Sequence, residues 1–517
     1  MQHPGADTWY MPDLLQVDAL QSALAAEFNL VVTPEYAATV VYTDSFDWRL
    51  YQQGYLLHCH GQSWTLYHGD SCEVTVQQGG PELKGSRFAQ DFPPGRLREI
   101  LEPILGVRCL LPLATVGLKG CQIRLLNRDE KTVARIVVET QQPAGKKSIF
   151  RLIRLFGLRG YDQELAHVRR ILEENGVRQN ASPLIGFEEG CRVAGRQPLD
   201  YSSKFSLVLD PACTARQAMV RIYQSLLESI KRNIPGVLED WDSEFLHDLR
   251  VAIRRTRSGL SLVTKVLPDA MVERFKRDFG LLGSLTGPTR DLDVYLLNRD
   301  DYLNRLPPAL QPGLNGFFAE LARRRQVEQK KLVRVLRAKK SKTILAAWQR
   351  ALHNQDLQPA PLAGIPVGEL AGRIIVKRFK RVLREGKALN TATPDAEVHR
   401  LRIQCKKLRY AIEFFSSLYP KEEVQRVVRQ LKKLQDILGS FNDLSVQLEM
   451  LRLNLTKQRG ESRRNLELAA ALGGLMQSLF QEQQALRDHF AEAFDQFSDP
   501  ETMALFHQLF RKKQEPS

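Results

Sequence analysis

Two stretches of this chain are written to one template, so the fold that holds them has to be built twice. His247-Asp-Leu-Arg-Val-Ala-Ile-Arg-Arg-Thr-Arg257 and His399-Arg-Leu-Arg-Ile-Gln-Cys-Lys-Lys-Leu-Arg409 each read His-x-Leu-Arg-x3-basic-basic-x-Arg, 152 residues apart. The same offset carries Gly287 and the Asp291-Leu-Asp-Val run onto Gly439 and Asp443-Leu-Ser-Val, and Arg221 onto Arg373. Three blocks in register are not chance. They mark an internal duplication, and what it duplicates is a stripe of positive charge.

The charge balance follows the duplication. Of the net charge of +15, residues 1–200 hold 21 Lys and Arg against 23 Asp and Glu, a net of −2, which leaves +17 for residues 201–517. An excess so placed points to a polyanionic partner: nucleic acid, a phosphate polymer or an anionic membrane surface. Hydrophobic and charged fractions of 43% and 26% fit a globular protein. The sequence has no apolar run long enough to span a membrane. The start, MQHPGADTWYMPD, lacks the pattern of a signal peptide. Seven scattered cysteines without a C-x-x-C pair favour a reducing compartment, so the expected location is cytoplasmic, without structural disulfides or zinc.

Hydrophobic periodicity divides the chain. Residues 1–190 carry short β-branched and aromatic runs, such as Thr39–Thr43, Tyr55–His60, Ser63–His68, Cys72–Val76, Cys121–Leu126 and Thr132–Val138, separated by turn residues. Helical patterns interrupt them at 13–28, 95–105 and 162–175. The expected fold is an α+β domain on an antiparallel sheet or barrel. Residues 191–204 read as a linker. From 205 to 510 the pattern is helical throughout, with repeats at about 205–357 and 358–510, which predicts an all-α duplicated helical bundle.

At 100° per residue, His247, Arg250, Arg254 and Arg257 fall within about 80° of one another, while Leu249, Ile253, Thr256 and Leu260 occupy the adjacent, core-facing sector. In the second copy His399, Arg402, Lys406 and Arg409 form the stripe, and Leu401, Cys405, Leu408, Ile412 and Phe415 the buried face. Arg255 and Lys407 flank the stripes, and a further helix aligns Arg373, Lys377, Lys380, Arg381 and Arg384. A solvated surface explains any one basic helix. Two matched stripes with few interleaved carboxylates, each bordering an apolar sector, are explained better by an anion that neutralises them. Arginine suits phosphate because its planar fork donates two hydrogen bonds, and lysine adds a compact charge. Asp291 and Asp443 read as helix caps or partners of a stripe arginine.

These paired motifs and the doubled G-x-x-(R/N)-D-L blocks resemble the CHAD domain, the conserved histidine α-helical domain, over about residues 205–510. The resemblance implies two four-helix bundles about a pseudo-two-fold axis and a basic groove that binds inorganic polyphosphate. The groove residues it implies are His247, Arg250, Arg254, Arg255 and Arg257 with His399, Arg402, Lys406, Lys407 and Arg409, and Arg221, Arg373 and Lys377 as wall residues.

Residues 1–190 resemble a degenerate CYTH-type triphosphate tunnel domain, chiefly through Tyr42-Thr-Asp-Ser-Phe-Asp-Trp-Arg and the strand after it. That family's chemistry needs an N-terminal E-x-E-x-K strand whose carboxylates hold a divalent metal. If the strand ends at Pro12, the three positions here are Pro4, Ala6 and Thr8. His58 and His60 share one face of their strand, but two histidines without a third ligand read as ordinary tunnel or surface residues. The expectation is therefore no catalytic residue, no metal and no cofactor, and a non-enzymatic polyphosphate-binding protein associated with polyphosphate granules. The alternatives are a metal-dependent triphosphatase using the N-terminal domain and a nucleic-acid-binding helical module.

Overall fold

The computed structural model describes residues 7–69, 74–179, 181–354, 360–390, 393–457 and 462–510. Residues 1–203 and 204–517 form two compact units.

In the first unit, alternation along the chain sets which side of each strand is buried. Trp64 and Leu66 are fully buried from one face of the fifth strand while Ser63 is exposed. The strands are β1 (Asp7–Tyr10), β2 (Asn29–Val32), β3 (Tyr36–Asp44), β4 (Tyr55–His60), β5 (Ser63–His68), β6 (Val74–Gly79), β7 (Leu111–Leu126), β8 (Thr132–Pro143), β9 (Phe150–Gly157) and β10 (Arg178–Gln179). They form one antiparallel sheet in the order β10-β1-β9-β8-β7-β3-β4-β5-β6, with β2 beside β3 on one edge of β7. Among the described residues the path runs open from β10 to β6, so the sheet is the form adopted.

Helices α1 (Val17–Ala25), α2 (Arg49–Gln52), α3 (Arg96–Leu105), α4 (Asp162–Glu174) and α5 (Ile185–Val193) complete the unit. Residues 191–203, read above as a linker, belong to it. Cys191 is buried, and Arg196 pairs with Asp200 at 2.9 Å while its guanidinium lies over Phe46 and Trp48. The predicted strand start at Cys72 lies outside the described residues. Strand β9, in which Leu152 and Ile153 are both buried, is not among the runs read from the sequence.

The second unit is helical throughout. Its first repeat has α6 (Ala215–Leu238), α7 (Ser243–Leu262), α8 (Asp269–Leu285), α9 (Gly287–Leu297), α10 (Arg299–Asn304), α11 (Asn315–Arg337) and α12 (Lys339–His353). Its second has α13 (Val367–Lys387), α14 (Asp395–Phe415), α15 (Lys421–Leu455), α16 (Arg463–Phe497) and α17 (Pro500–Phe510). Caps set the phase of the first two helices. Thr214 and Gln217 close a reciprocal capping box on α6, and the Asp242 carboxylate accepts the Glu244 and Phe245 amides at 2.9 and 3.2 Å at the start of α7.

A pair of bonds displays the duplication in space. The Ala215 amide donates to the Ile365 carbonyl at 2.8 Å, and the Val367 amide to the Cys213 carbonyl at 3.1 Å. Ala215 matches Val367 and Cys213 matches Ile365 under the 152-residue offset, so the two contacts are one contact exchanged, as a two-fold axis requires. The repeats also share a core: Leu292 and Tyr295 of α9 and Phe318 of α11 cluster with Leu444 of α15 and Leu472 and Leu475 of α16.

Where the repeats differ, proline explains it. The path α8–α9 breaks at Thr286, just before Pro288, which lacks the amide and crowds the preceding turn. The matching Leu438-Gly439-Ser440 continues through α15, which runs unbroken for 35 residues. Asp443 is therefore a mid-helix residue and not the helix start expected for it.

Candidate functional site

The helices α7 and α14 carry the two templates and pack against each other. Two side-chain bonds fix the crossing. The Arg254 Nε donates to the Tyr410 hydroxyl at 2.8 Å, and an Arg255 Nη donates to the Glu413 carboxylate at 2.9 Å. Gly259 of α7 sits where the approach is tight, since a Cβ there would stand 3.0 Å from the Tyr223 ring and 3.4 Å from the Phe414 ring.

Arg250 and Arg254 from α7 meet Arg402 and Lys406 from α14. Burial first, then repulsion from Arg254 and Arg402, with Asp443 opposing, together push the Lys406 ammonium down to about 8. Arg402 is lowered by burial and by Arg254, with Asp443 pulling the other way at 3.2 Å. Arg250 is lowered chiefly by burial, with Asp291 opposing and Arg254 and Arg290 adding repulsion. Its Nη1 donates to the Gly283 carbonyl at 3.3 Å and the Thr286 hydroxyl at 3.1 Å, which aims the guanidinium without neutralising it. Among the described residues Arg254 bonds only the Tyr410 hydroxyl and Lys406 bonds nothing. Four cations, from two template positions in each of the two repeats, thus crowd the seam, with Asp291 acting on Arg250 and Asp443 on Arg402.

The duplicated carboxylates close the arrangement. Asp443 binds Arg402, Asp291 bears on Arg250, and both act on Tyr295, whose hydroxyl is pushed up to about 12 by burial first and then by the two charges. Of the two readings for these aspartates, partners of a stripe arginine is the one that describes their placement. His399 lies exposed with its Nδ1 hydrogen-bonded to the Asn442 Oδ1. His247 stands half-buried one turn before Arg250.

Other expected residues stand elsewhere. Arg255 and Arg409 both bind Glu413, at 2.9 and 2.6 Å, and Arg409 also reaches Gln435 at 3.4 Å. Lys407 turns toward α13, where burial and then Arg378 and Arg381 lower it, against Glu385. Arg257 is exposed on α7 beside Gly283 of α8. Arg373 is exposed and paired with Glu369, and Lys377 is exposed on the same helix. Arg221 lines a separate open cleft of about 890 Å³ with Arg216, Gln217, Gln224 and His353.

Sequence reasoning missed Tyr410 and Glu413. Both follow the second template directly, but their matches in the first repeat are Ser258 and Ser261, so the duplication gave no signal for them.

The buried carboxylates Asp44, Asp47 and Glu139 of the first unit are engaged within it. Glu139 accepts from the Tyr36 hydroxyl at 2.8 Å, Gln141 at 2.7 Å and Arg154 at 2.9 Å. The Asp44 carboxylate accepts the amides of Ser45, Leu50 and Tyr51, so the Tyr42-Thr-Asp turn serves to start α2, while burial raises Asp44 to about 7. Burial lowers His58 to about 4, and His60 bonds the Thr39 carbonyl. Of the three positions expected to bear the acidic strand, Pro4 and Ala6 lie outside the described residues and Thr8 is buried in β1. No helix among the described residues is long and apolar enough to cross a membrane.

Residues 221–452 match the family described as the CHAD domain. Among solved structures the chain is similar to the CHAD domain from the plant Ricinus communis, at 27% identity and a TM-score of 0.48, covering 56% of this chain and 95% of that one. It is also similar to PptA from Streptomyces chartreusis, at 16% identity and a TM-score of 0.44, covering 55% of this chain and all of the other. None of the curated proteins matches the chain.

Proposed function

Residues 221–452 of this chain are a CHAD domain, and from that premise we propose that the protein binds inorganic polyphosphate along the α7–α14 seam without cleaving it. One observation carries the reading. Arg254, Arg402 and Lys406 converge from the two repeats, half-buried or exposed at the seam, and neither Arg254 nor Lys406 has a carboxylate partner among the described residues. Such a set is under electrostatic tension when empty and relaxes when a polyanion lies across it. A phosphate chain offers repeated charge with no sequence to read, which suits side chains placed by two-fold repetition. The carboxylates of the first unit, Asp44, Asp47 and Glu139, are engaged within the protein, which supports binding over metal-assisted hydrolysis. Association with polyphosphate granules follows as the expected setting.

The test is calorimetric titration with long-chain polyphosphate across a salt series. The logarithm of the binding constant is expected to fall linearly with the logarithm of salt, because bound counterions are released. The fourfold variant Arg250→Glu, Arg254→Glu, Arg402→Glu and Lys406→Glu is expected to lose binding. Retained affinity would sink the groove assignment, and duplex DNA displacing polyphosphate at equal phosphate concentration would favour a nucleic-acid module. Phosphate release from tripolyphosphate with Mg²⁺ or Mn²⁺ would overturn the non-enzymatic part.

A further inference from the structure

Behind the seam, the first repeat holds a cavity of about 380 Å³, within the roughly 300–1,000 Å³ range of small-molecule sites. Ile230 and Ile234 of α6, Leu249 and Ile253 of α7, Leu282 of α8 and Leu345 of α12 line it. Ile234 and Leu345 remain only half-buried in doing so. The polar lining belongs largely to one side, where the exposed side chains of Arg337 and Lys342 stand at the rim. Arg337 makes only a loose surface pair with Glu239 at 3.5 Å.

The second repeat shows that the architecture does not demand this space. On α13, Val382 and Gly386 match Ile230 and Ile234 by the offset, and there the Phe494 ring lies over Gly386 too closely to admit a Cβ. Phe494 and Phe497 are 5% and 1% exposed, and Phe497 packs edge-on against Phe379. One repeat closes the region with aromatic rings. The other leaves an aliphatic chamber with cations at its mouth.

We propose that this chamber binds a single-chain anionic amphiphile: an unbranched acyl or alkyl chain enters among the aliphatic side chains, and its carboxylate or phosphate meets Arg337 and Lys342. Ser341, the buried polar residue of the lining, spends its hydroxyl proton on the Val335 carbonyl at 2.7 Å, so the aliphatic walls select hydrocarbon, and the rim charge selects an anionic head over a neutral one. The site is separate from the seam cations, which project from another sector of α7.

Titration calorimetry on the full chain, below micelle concentrations, tests it with octanoate, decanoate, dodecanoate, dodecyl phosphate and dodecanol. Affinity is expected to rise up to about fourfold per added methylene until the chamber is full, the transfer free energy of a buried CH₂. Both anionic twelve-carbon ligands are expected to bind at least tenfold more tightly than dodecanol. Leu345→Phe should fill the space and abolish binding with an unchanged or higher unfolding temperature. Should that variant fold poorly, Lys342→Glu, an exposed change, is expected to weaken dodecanoate at least fivefold and leave dodecanol unaffected. Equal affinity for dodecanol, no dependence on chain length, or binding that survives Leu345→Phe would each overturn the proposal. Dodecanoate taken up only from phosphatidylcholine vesicles, and not as monomer, would overturn it as well.

Discussion

The two repeats keep the same cations and give them different neighbours. Arg250 and Arg402 hold matching positions, yet Arg402 pairs with Asp443 at 3.2 Å while Arg250 donates to the Gly283 carbonyl and the Thr286 hydroxyl. Arg254 and Lys406 also match, yet Arg254 leans on the Tyr410 hydroxyl and Lys406 makes no bond among the described residues. The second repeat supplies Tyr410 and Glu413, where the first has Ser258 and Ser261. Glu413 then takes one arginine from each repeat, Arg255 and Arg409, and has no counterpart. Duplication thus preserved what a polyanion would touch, while the ties that hold the two helices together diverged. The exposed charge of the seam is lopsided: the first repeat brings the bare guanidinium, and the second brings the carboxylate that locks the crossing.

If that asymmetry governs binding, single reversals separate the repeats. Arg254→Glu is expected to weaken polyphosphate by about a hundredfold and reduce the salt slope by about 2, because it removes one cation and adds a repelling charge. Arg402→Glu, already partly neutralised by Asp443, is expected to cost roughly tenfold less. Calorimetry at two salt concentrations reads both, and equal losses would break the comparison.

Glu413 tests the other half. Its removal leaves Arg255, only 12% exposed at the side chain, without a charge partner. Glu413→Gln is expected to lower stability by about 2 kcal/mol, some thirtyfold in the folding equilibrium. Polyphosphate affinity should hold or rise, since Arg255 and Arg409 are released. Urea unfolding followed by helical circular dichroism measures the first effect. A variant as stable as the parent would mean that the apolar contact of α7 with α14, and not the shared carboxylate, holds the repeats.

How much of this was legible depended on whether a residue's role lay within its own helix. The stripes were readable because a 3.6-residue period fixes which side chains share a face, and Leu249, Ile253, Leu401 and Cys405 are buried as that period demands. Roles set by a second helix were not. Lys407 and Arg255 hold the same template position, yet one turns to α13 and the other to Glu413. Arg221 entered through register alone and faces a different cleft. In the sheet, β4 and β5 were read to the residue as apolar and aromatic runs bounded by the turn glycines Gly54, Gly61 and Gly69, whereas β9, which carries Arg151 and Arg154 among its eight residues, was not read.

Lys406 gives the comparison a pH axis, because its match in the first repeat is an arginine that does not titrate. Its ammonium, lowered to about 8, is charged below that pH, so polyphosphate affinity is expected to be full near pH 7 and to fall several-fold by pH 9. A bound polyanion raises the pKa and moves the midpoint upward. Folding stability should move the other way. Between about 8 and the ordinary lysine value near 10.5 the unfolded chain binds the extra proton, so stability rises with pH. Lys406→Arg is expected to flatten the affinity profile, and an unchanged profile in that variant would assign the titration to another group.

The smallest effect is the sharpest check on geometry. Lys407 shares the template with Lys406, one residue away, but faces Arg378, Arg381 and Glu385 on α13. If charge count alone drove binding, neutralising either lysine would cost the same. If the seam is the site, Lys406→Gln should weaken polyphosphate by about fivefold and Lys407→Gln by less than twofold, since Lys407 faces the α13 charges and salt screens what it adds at the seam. Lys407→Gln should also relieve repulsion among the α13 cations and raise the unfolding temperature slightly. Equal losses from the two substitutions would mean that the polyanion wraps both faces of α14, and that the stripe is a collar around the helix instead of one wall of a groove.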